Sequence, residues 1–337
     1  CIFSRSSPEF MLLETHSKKG QYLDLDFAAL RDLSTIDMQL RYVLIHICLD
    51  IEHCIKVDMI RKVQKNNKND AYNIVNNYIK EYQAWKYSDP NGTDFKEALF
   101  AIQRGDIYRK DLVEKYQDDC PIWVIAEIMH FGDLLRFYAF TQCRYVCQGC
   151  PIPNQKLPSP TCKRILDGNL SSFKAYMLAN DLSHPSIELC PRIHEIEKMD
   201  RLLQDVRRIR NASAHNSCFL NDLRIPKGNG NDDTASPLLV NGLRQILPQL
   251  QERIPDIKEK NINILLKNPR IRQCLSTVYA HKLLVGSPYM NFHRWKELKY
   301  LTNERMNKHR EYYNRSAPVV KFFDFLRAAV DIWSETE

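Results

Sequence analysis

The stretch "LRDLSTIDMQLRYVLIHICLDIEHCIKV", residues 30–57, carries the pattern that decides the fold class. Its spacing of three and four positions predicts a long amphipathic helix with one broad buried stripe. Ser34-Thr35-Ile36-Asp37 has the layout of a capping box, which predicts that the helix begins there. The apolar residues that make up the stripe are Leu40, Val43, Leu44, Ile47, Cys48, Ile51, Cys54 and Ile55.

Similar helical spacing recurs along the chain. A second helix is predicted after the polar break at residues 66–70, and a later one by the apolar residues from Ile193 to Ile209. The segment "PIWVIAEIMHFGDLLRFYAF", residues 121–140, is apolar on nearly every side, which predicts a position in the core or in a subunit interface. Gly132 is expected to separate two helices within that segment.

Composition agrees with a helical protein. With 10 glycines in 337 residues, the chain has little material for the many turns of an all-β protein. No strand alternation lasts more than a few residues, so the sequence predicts an all-α fold. Lysine and arginine total 48 against 41 acidic residues, and the net charge of +7 favours anionic partners such as nucleic acid.

Cysteine usage and hydropathy predict the cellular compartment of the protein. The chain has 11 cysteines, no signal peptide and no apolar run near about 18 residues. These features are typical of a protein in a reducing cytoplasm, with thiols in its core and no contact with a membrane.

Turn-forming residues indicate how the chain is divided. Residues 1–10 end in "SPEF" immediately before a methionine, which predicts a vector remnant. Residues 11–225 are predicted to form the main helical domain, and "PKGNGNDDTASP" at 226–237 is predicted to be a linker. Helical patterns return over 238–337, either as a separate domain or as additional helices on the same core.

The stretch "VRRIRNASAHNS", residues 206–217, places Arg210 and His215 at the end of the helix predicted from Ile193 or within its continuation. These residue types suit the internal cleavage of RNA, in which a 2′-hydroxyl attacks the adjacent phosphorus. A histidine can take or give a proton near neutral pH. An arginine can offset the charge that grows on the phosphate oxygens, because guanidinium stays charged and matches phosphate geometry.

The spacing of these two residues limits how they can act. Residues five apart on one helix differ by about 140° around its axis, so Arg210 and His215 do not share a face. They can serve one phosphate if the helix breaks between them, or if a symmetric dimer brings two motifs together. A purely structural alternative also fits, in which His215 caps a helix end and Arg210 pairs with Asp205 or Asp222.

Three blocks of sequence resemble a known family. The stretches at 30–57, "CPIWVIAEIMHFGDLLRFY" at 120–138 and "VRRIRNASAHNS" resemble, in this order, the Abi-like abortive-infection proteins of bacteria, of the AbiD/AbiF type. The resemblance covers roughly residues 25–220. "RNASAH", residues 210–215, also matches the Arg-x4-His signature of the HEPN ribonuclease superfamily, with asparagine following the arginine.

The resemblance implies a HEPN-type helical bundle with additional C-terminal helices, acting as a homodimer. It implies metal-independent RNA cleavage without a cofactor, in phage defence or in a toxin-antitoxin system with an RNA or protein antitoxin. Arg210 and His215 would be catalytic, and Asn211 would orient them. Asn216 stands where many members have a second histidine. A non-catalytic module that binds RNA or a partner protein through the same cleft is the alternative function.

A Pro- and Cys-rich segment at 147–162 interrupts the helical pattern and resembles an insertion. The spacing C-x3-C-x2-C-x11-C in and before it leaves two alternatives, a structural zinc ion or free thiols. Free thiols are favoured because no second C-x2-C pair exists, so no metal site is predicted. A metal-dependent enzyme built on this segment is the third functional hypothesis. The cysteines concerned are Cys143, Cys147, Cys150 and Cys162.

Other histidines and basic residues have structural interpretations beside functional ones. His46, His53 and His130 lie on apolar helical stretches, which predicts core or interface positions rather than metal ligation. The stretch "NFHRWKELKYLTNERMNKHREYYNR", residues 291–315, mixes aromatic and basic side chains. It can stack bases and hold phosphates, or it can form an amphipathic helix with a solvated basic face.

Overall fold

The computed structural model describes residues 27–66, 70–86, 109–116, 119–147, 191–221, 223, 234–314 and 316–335. Every regular element in these ranges is helical, which confirms the predicted all-α fold. A π-helical turn at Tyr300–Arg305 and a 3₁₀ turn at Arg310–Tyr313 accompany the α-helices. The α-helices are α1 Phe27–Asn66, α2 Asp70–Lys86, α3 Lys110–Tyr116, α4 Ile122–Ile128, α5 Phe131–Cys147, α6 Pro191–Ala214, α7 Pro237–Gln245, α8 Leu247–Arg253, α9 Glu259–Leu265, α10 Pro269–Leu284, α11 Pro288–Lys299 and α12 Ala317–Glu335.

The chain divides into two compact units. The first unit comprises Cys1–Ile51 and Leu202–Glu337, and the second comprises Glu52–Arg201. The helices after the predicted linker therefore belong to the same unit as the start of α1 and the end of α6. Residues 1–10 and most of the linker at 226–237 lie outside the described ranges.

Helix α10 lies at the centre of the first unit. Every residue from Ile271 to His281 is buried, and a helix buried on all sides must be enclosed by other helices. Helices α7 and α12 pack against it. The contact with α7 is close, because a Cβ atom on Gly242 would lie 2.3 Å from the ring of Tyr279. Glycine at this position therefore allows α7 to pack directly on α10.

Buried polar groups on α10 find partners on two other helices of this unit. The carboxylate of Asp205, on α6, accepts hydrogen bonds from Arg272 Nε at 3.3 Å and from Ser276 Oγ at 2.9 Å. The Nε2 atom of His281 lies 3.4 Å from an oxygen of Asp50, on α1. That oxygen also accepts a hydrogen bond from Arg294 Nε at 2.6 Å. These contacts satisfy polar groups that would otherwise destabilise a core.

The second unit joins the later part of α1 to α2–α5. The ring of Tyr78, on α2, packs against Phe137 and Phe140 of α5 with centroids 4.9 and 5.2 Å away. The segment 121–140 is largely buried, which confirms its predicted core position, although Trp123 is 40% exposed.

The break between the two helices of segment 121–140 does not lie at the predicted residue, Gly132. Helix α4 ends at Ile128, and Met129 has extended backbone angles with a ψ of 141°. Helix α5 then begins at Phe131, where the carbonyl of His130 accepts the N–H groups of Asp133 and Leu134. Gly132 therefore lies in the first turn of α5, and the prediction that it separates the helices is wrong.

The predicted capping box is also wrong. Helix α1 is already formed at Phe27, so Ser34–Asp37 lies inside it. The hydroxyl of Thr35 donates to the carbonyl of Arg31 four residues earlier, at 2.9 Å, instead of capping a helix start. Asp37 is buried, and its partners lie near the end of α6.

The three histidines predicted to lie in the core or in an interface are exposed in one chain, so the core position is wrong and the interface position stays a prediction. His46, His53 and His130 occupy outer positions on their helices, whereas His281 is the histidine buried beside Asp50. No group of three or more His, Cys, Asp or Glu residues that could hold a metal ion occurs in the described ranges.

The cysteine segment is only partly covered by these ranges. Cys143 and Cys147 belong to α5, whereas Cys150 and Cys162 lie outside the described residues. Across the part of the chain that is described, each helix is too short or too polar to span a bilayer.

We expect the stability of the first unit to depend on the protonation of His281. Burial lowers the pKa of His281 from its ordinary 6.5 to about 4, and Arg294 acts in the same direction while Asp50 opposes it. Between these two values the unfolded chain binds a proton that the folded protein does not. The free energy of unfolding should therefore fall as the pH drops from 6.5 towards 4, by up to about 1.4 kcal/mol per pH unit.

Urea unfolding at several pH values between 7.5 and 4.5 measures this effect. The variant His281→Gln cannot take up the proton, so it should lose less stability over the window than the unmodified protein. His53→Gln, at an exposed position, should retain the full loss. Equal pH dependence of His281→Gln and the unmodified protein would show that the buried imidazole is not responsible.

Candidate active site

The Arg210–His215 motif lies where α6 ends. Arg210 and Asn211 belong to the last turns of α6, which ends at Ala214, and His215 follows immediately. The N–H of His215 still donates to the carbonyl of Asn211 at 3.0 Å. The sequence left open whether the motif lies at a helix end or within a longer helix, and the structure places it at the end.

A specific backbone arrangement ends the helix. The N–H of Ser217 donates to the carbonyl of Ala212 at 2.9 Å, and the N–H of Asn216 donates to the carbonyl of Ser213 at 3.2 Å. Asn216 has a φ of 53°, in the left-handed region that glycine and asparagine tolerate best. These features define a Schellman motif. Sequence reasoning missed this role, although an asparagine directly after the last helical residues is a known signal for it.

The motif turn, residues 215–220, is held by a buried carboxylate on α1. The Oδ1 atom of Asp37 accepts hydrogen bonds from the N–H groups of Phe219 and Leu220, each at 2.6 Å. Its Oδ2 atom accepts from Arg41 Nε at 2.9 Å. Arg41 Nη1 in turn donates to the side-chain oxygen of Asn216 at 2.9 Å. Sequence analysis assigned Asp37 to a capping box and did not identify Arg41, because the partners of both residues in the motif turn lie about 180 positions later in the chain.

An apolar contact adds to this anchor. The side chain of Phe219 is 1% exposed, and its ring lies 6.4 Å from that of Phe322 on α12. Leu220 is also buried. The motif turn is therefore fixed at one end by α6 and at the other by buried residues, with the exposed His215 between them.

Cys218 lies in the same turn, but its surroundings make it a poor nucleophile. Burial raises the pKa of its thiol above the ordinary value of 9.0, and the carboxylate of Asp37 adds to the effect. Since the thiolate is the reactive form, the thiol is largely unreactive near neutral pH.

The three predicted site residues differ in exposure. Asn211 and His215 are exposed, whereas Arg210 is partly buried. The Nε atom of Arg210 is buried and has no hydrogen-bond partner in the described part of the chain. No hydrogen bond joins Arg210 to His215 within the same ranges. One chain therefore brings these residues to a single helix end without linking them.

The structural alternative for Arg210 is not supported by its suggested partner Asp205. That carboxylate is engaged by Arg208 Nη1 at 3.2 Å, in addition to its bonds with Arg272 and Ser276. Asp222, the other suggested partner, lies outside the described residues.

The functional groups at this helix end suit acid–base and anion chemistry. The exposed imidazole of His215 can exchange a proton with a ligand, and the guanidinium of Arg210 can bind an anion. The nearby carboxylates of Asp37 and Asp205 are buried and occupied by structural hydrogen bonds. The arrangement is therefore suited to a negatively charged substrate.

The basic stretch at 291–315 is not one amphipathic helix, which corrects that alternative. Helix α11 ends at Lys299, and the π-helical turn and the 3₁₀ turn follow it. Three of its arginines pair with acids rather than forming a solvated face. Arg294 bonds to Asp50, Arg305 to Asp32 and Arg310 to Asp324, each at 2.6 Å.

Exposed aromatic and lysine side chains nevertheless line a groove in this region. The aromatic–lysine groove, with a volume of about 920 Å³, includes Phe292, Lys296, Lys299 and Tyr300. Phe292 is 63% exposed and Tyr300 is 54% exposed. Exposed aromatic rings beside lysines are the combination that binds single-stranded nucleic acid, through stacking and phosphate contacts.

Comparison with known proteins adds one result. A family model described as Abi-like protein matches residues 7–221, which is well over half of the chain. The match includes α6 and the motif turn and ends before α7. Neither the curated proteins nor the solved structures gave a match.

The left-handed backbone at Asn216 leads to a prediction about the motif turn. Asn216→Val should lower the free energy of unfolding by about 1–2 kcal/mol relative to Asn216→Gly, because a β-branched side chain is strained at this φ. Urea unfolding of both variants measures the difference. The same two substitutions at Asn241, an exposed position inside α7, provide the control, since glycine is not favoured over valine there. Equal stability of the two Asn216 variants would contradict the Schellman geometry.

Proposed function

The chain belongs to the Abi-like protein family, and on this basis we propose that it is a metal-independent endoribonuclease of the HEPN type. Its role would be phage defence by abortive infection, or the toxin in a toxin-antitoxin system. The observation that carries the proposal is the position of Arg210 and His215 at a helix end, beside a turn anchored by Asp37 and Arg41. An RNA or protein antitoxin would inhibit the ribonuclease activity.

The reaction transfers a phosphoryl group within the RNA, from the 5′-oxygen of one nucleotide to the 2′-oxygen of the preceding nucleotide. The 2′-oxygen attacks the adjacent phosphorus while its proton passes to a base, and the bond from phosphorus to the 5′-oxygen breaks. The leaving 5′-oxygen takes up a proton, so the products carry a 2′,3′-cyclic phosphate and a 5′-hydroxyl. His215 acts as the base or the acid, and Arg210 stabilises the charge on the phosphorane oxygens. The exposed amide of Asn211 orients these groups.

The geometry of one chain favours an active site shared between two. Residues five apart on an ideal helix differ by about 140° around its axis, and no hydrogen bond joins Arg210 to His215 in the described ranges. In a symmetric homodimer, His215 can face Arg210 of the partner subunit across the twofold axis. The Nε atom of Arg210, which has no hydrogen-bond partner in the described part of the chain, supports this arrangement, because a buried charged donor needs an acceptor such as a phosphate oxygen.

The aromatic–lysine groove supports RNA as the substrate. Its lysines provide positive charge, and its exposed rings provide stacking surfaces for unpaired bases. The groove belongs to the same compact unit as the motif turn. A single-stranded region of RNA is therefore the substrate form that the chemistry favours.

The same groove also favours a second candidate function. A non-catalytic module would bind RNA or a partner protein and release it unchanged. Exposed aromatic side chains such as Phe292 are suited to binding without chemistry. The two candidates differ in one respect, namely whether RNA is cut by the purified protein.

Substitution of the motif residues tests the proposal. Arg210→Ala and His215→Ala should each lower the rate of RNA cleavage at least a hundredfold, because each removes a group that acts in the transition state. Arg201→Ala and His53→Ala, at exposed positions, are the matched controls and should retain activity. Incubation with total cellular RNA followed by mapping of the fragment ends measures the effect. Identical fragment patterns from the motif variants and the controls would refute the assignment.

Mixing the two inactive variants tests the shared site. If His215 of one subunit works with Arg210 of the partner subunit, a dimer of Arg210→Ala and His215→Ala chains contains one intact pair. Co-refolded or co-expressed chains should then recover up to about half of the original activity. No recovery in a purified mixed dimer would place both residues in a site within one chain.

A further inference from the structure

A small cavity between the start of α1 and the residues that follow α11 has three cationic side chains among the eight that line it. Its volume is about 250 Å³, and its lining includes Arg31, Arg305, Lys308 and His309. Asp32 is the acidic residue among the eight that line it. We call this the Arg31–Lys308 cavity. It is separate from the aromatic–lysine groove, and Arg305 and Lys308 lie outside the residues matched by the family model.

The single acid is already fully engaged. One oxygen of Asp32 accepts from Arg305 Nη2 at 2.6 Å, and the other accepts a short hydrogen bond from the hydroxyl of Tyr313. Burial and the neighbouring carboxylate both raise the pKa of Tyr313, so its hydroxyl stays protonated and remains a donor. Asp32 therefore neutralises one guanidinium, while Arg31 and Lys308 keep the cavity positive.

Arg305 retains a donor that nothing in the described ranges accepts. The side chain is only 12% exposed, and its Nη1 atom is buried without a hydrogen-bond partner in these ranges. A buried charged donor of this kind destabilises a protein unless an acceptor satisfies it. An anion in the cavity would supply that acceptor.

The backbone around Arg305 is unusual in a way that fits a binding site. Arg305 closes the π-helical turn, where the N–H of Met306 donates to the carbonyl of Leu301 at 2.9 Å. Such turns are rare and occur frequently at functional sites. Beyond it, the rings of His309 and Tyr312 stack with centroids 5.1 Å apart and planes within 15°. Both rings line the cavity and offer a flat aromatic surface next to the cations.

We propose that the Arg31–Lys308 cavity binds a phosphate group carried by a nucleotide or by an RNA chain. Arg31, Arg305 and Lys308 would hold the phosphate oxygens, and the His309–Tyr312 pair would contact the attached sugar or base. The volume is below the roughly 300 Å³ at which sites for larger ligands begin, so a phosphate with its sugar is the unit that fits. Arg31 lies ten residues before Arg41 on α1, which corresponds to about 15 Å along the helix. The phosphate site and the anchor of the motif turn are therefore on one rigid element.

Binding of adenosine 5′-monophosphate, inorganic phosphate and adenosine to the full chain tests this proposal by calorimetry. The nucleotide and phosphate should bind saturably, and adenosine should not. Arg31→Gln combined with Lys308→Gln should weaken nucleotide binding about tenfold or more. Arg305→Lys keeps a positive charge beside Asp32 but removes the Nη1 donor. It should weaken nucleotide binding to a similar extent. Lys260→Gln combined with Lys267→Gln changes the net charge equally at exposed positions and should alter affinity less than about twofold.

Uncleavable 2′-O-methyl tetranucleotides, with and without a 5′-phosphate, distinguish the sources of the phosphate. Loss of affinity in the Arg31/Lys308 double variant for the 5′-phosphorylated form alone identifies a terminal phosphate, whereas equal loss for both forms identifies a chain phosphate. Failure of the nucleotide, phosphate and tetranucleotides to saturate would overturn the proposal. Equal weakening in the Lys260/Lys267 control would also overturn it. Because these probes are not cleaved, the result is independent of the ribonuclease proposal.

Discussion

The candidate site depends on the hydrogen bonds that the buried carboxylate of Asp37 accepts. It accepts two backbone N–H groups of the motif turn and pairs with Arg41, which reaches Asn216. Hydrogen bonds to a buried charged group are strong, and removal of the carboxylate would leave three donors without an acceptor. The direction in which the chain leaves α6 is therefore set from α1. Without this anchor, His215 would lie on a free helix end.

The position of α6 itself depends on helices far beyond the motif. Asp205 is fixed by Arg272 and Ser276 of α10, and α10 is enclosed by α7 and α12. The family model ends at residue 221, so these supporting helices lie outside its match. The C-terminal helices are thus part of the structure that holds the motif. They also carry the aromatic–lysine groove, where the chain offers positive charge and stacking surfaces to a nucleic acid.

Features set by local sequence could be predicted, and features set by distant partners could not. The helical period identified α1 and α6, because burial of one face repeats every three or four residues, but α1 begins at Phe27 rather than at the predicted Ser34. It left open whether Arg210 and His215 lie at the end of a helix or within its continuation. The same local reasoning assigned Asp37 to a capping box, yet its carboxylate accepts hydrogen bonds from the N–H groups of Phe219 and Leu220.

The histidines show the same limit. His46 and His53 follow the apolar period of α1 closely enough to suggest burial, but they occupy its exposed edge. His281 lies in a helix that is buried on every side, so no amphipathic pattern indicates which of its residues are buried. Its partner Asp50 is 231 positions away. Asn216 was noted as a departure from the family pattern, whereas its left-handed backbone shows that it ends the helix.

We propose that RNA is cut by its own 2′-hydroxyl at a site built from Arg210 and His215. The decisive measurement is the chemistry of the new RNA ends that the purified protein produces in the presence of EDTA. We expect 2′,3′-cyclic phosphate and 5′-hydroxyl ends, with no loss of activity on chelation and no cut where the ribose is 2′-deoxy. Ends with a 3′-hydroxyl and a 5′-phosphate, or activity that EDTA abolishes, would contradict this proposal.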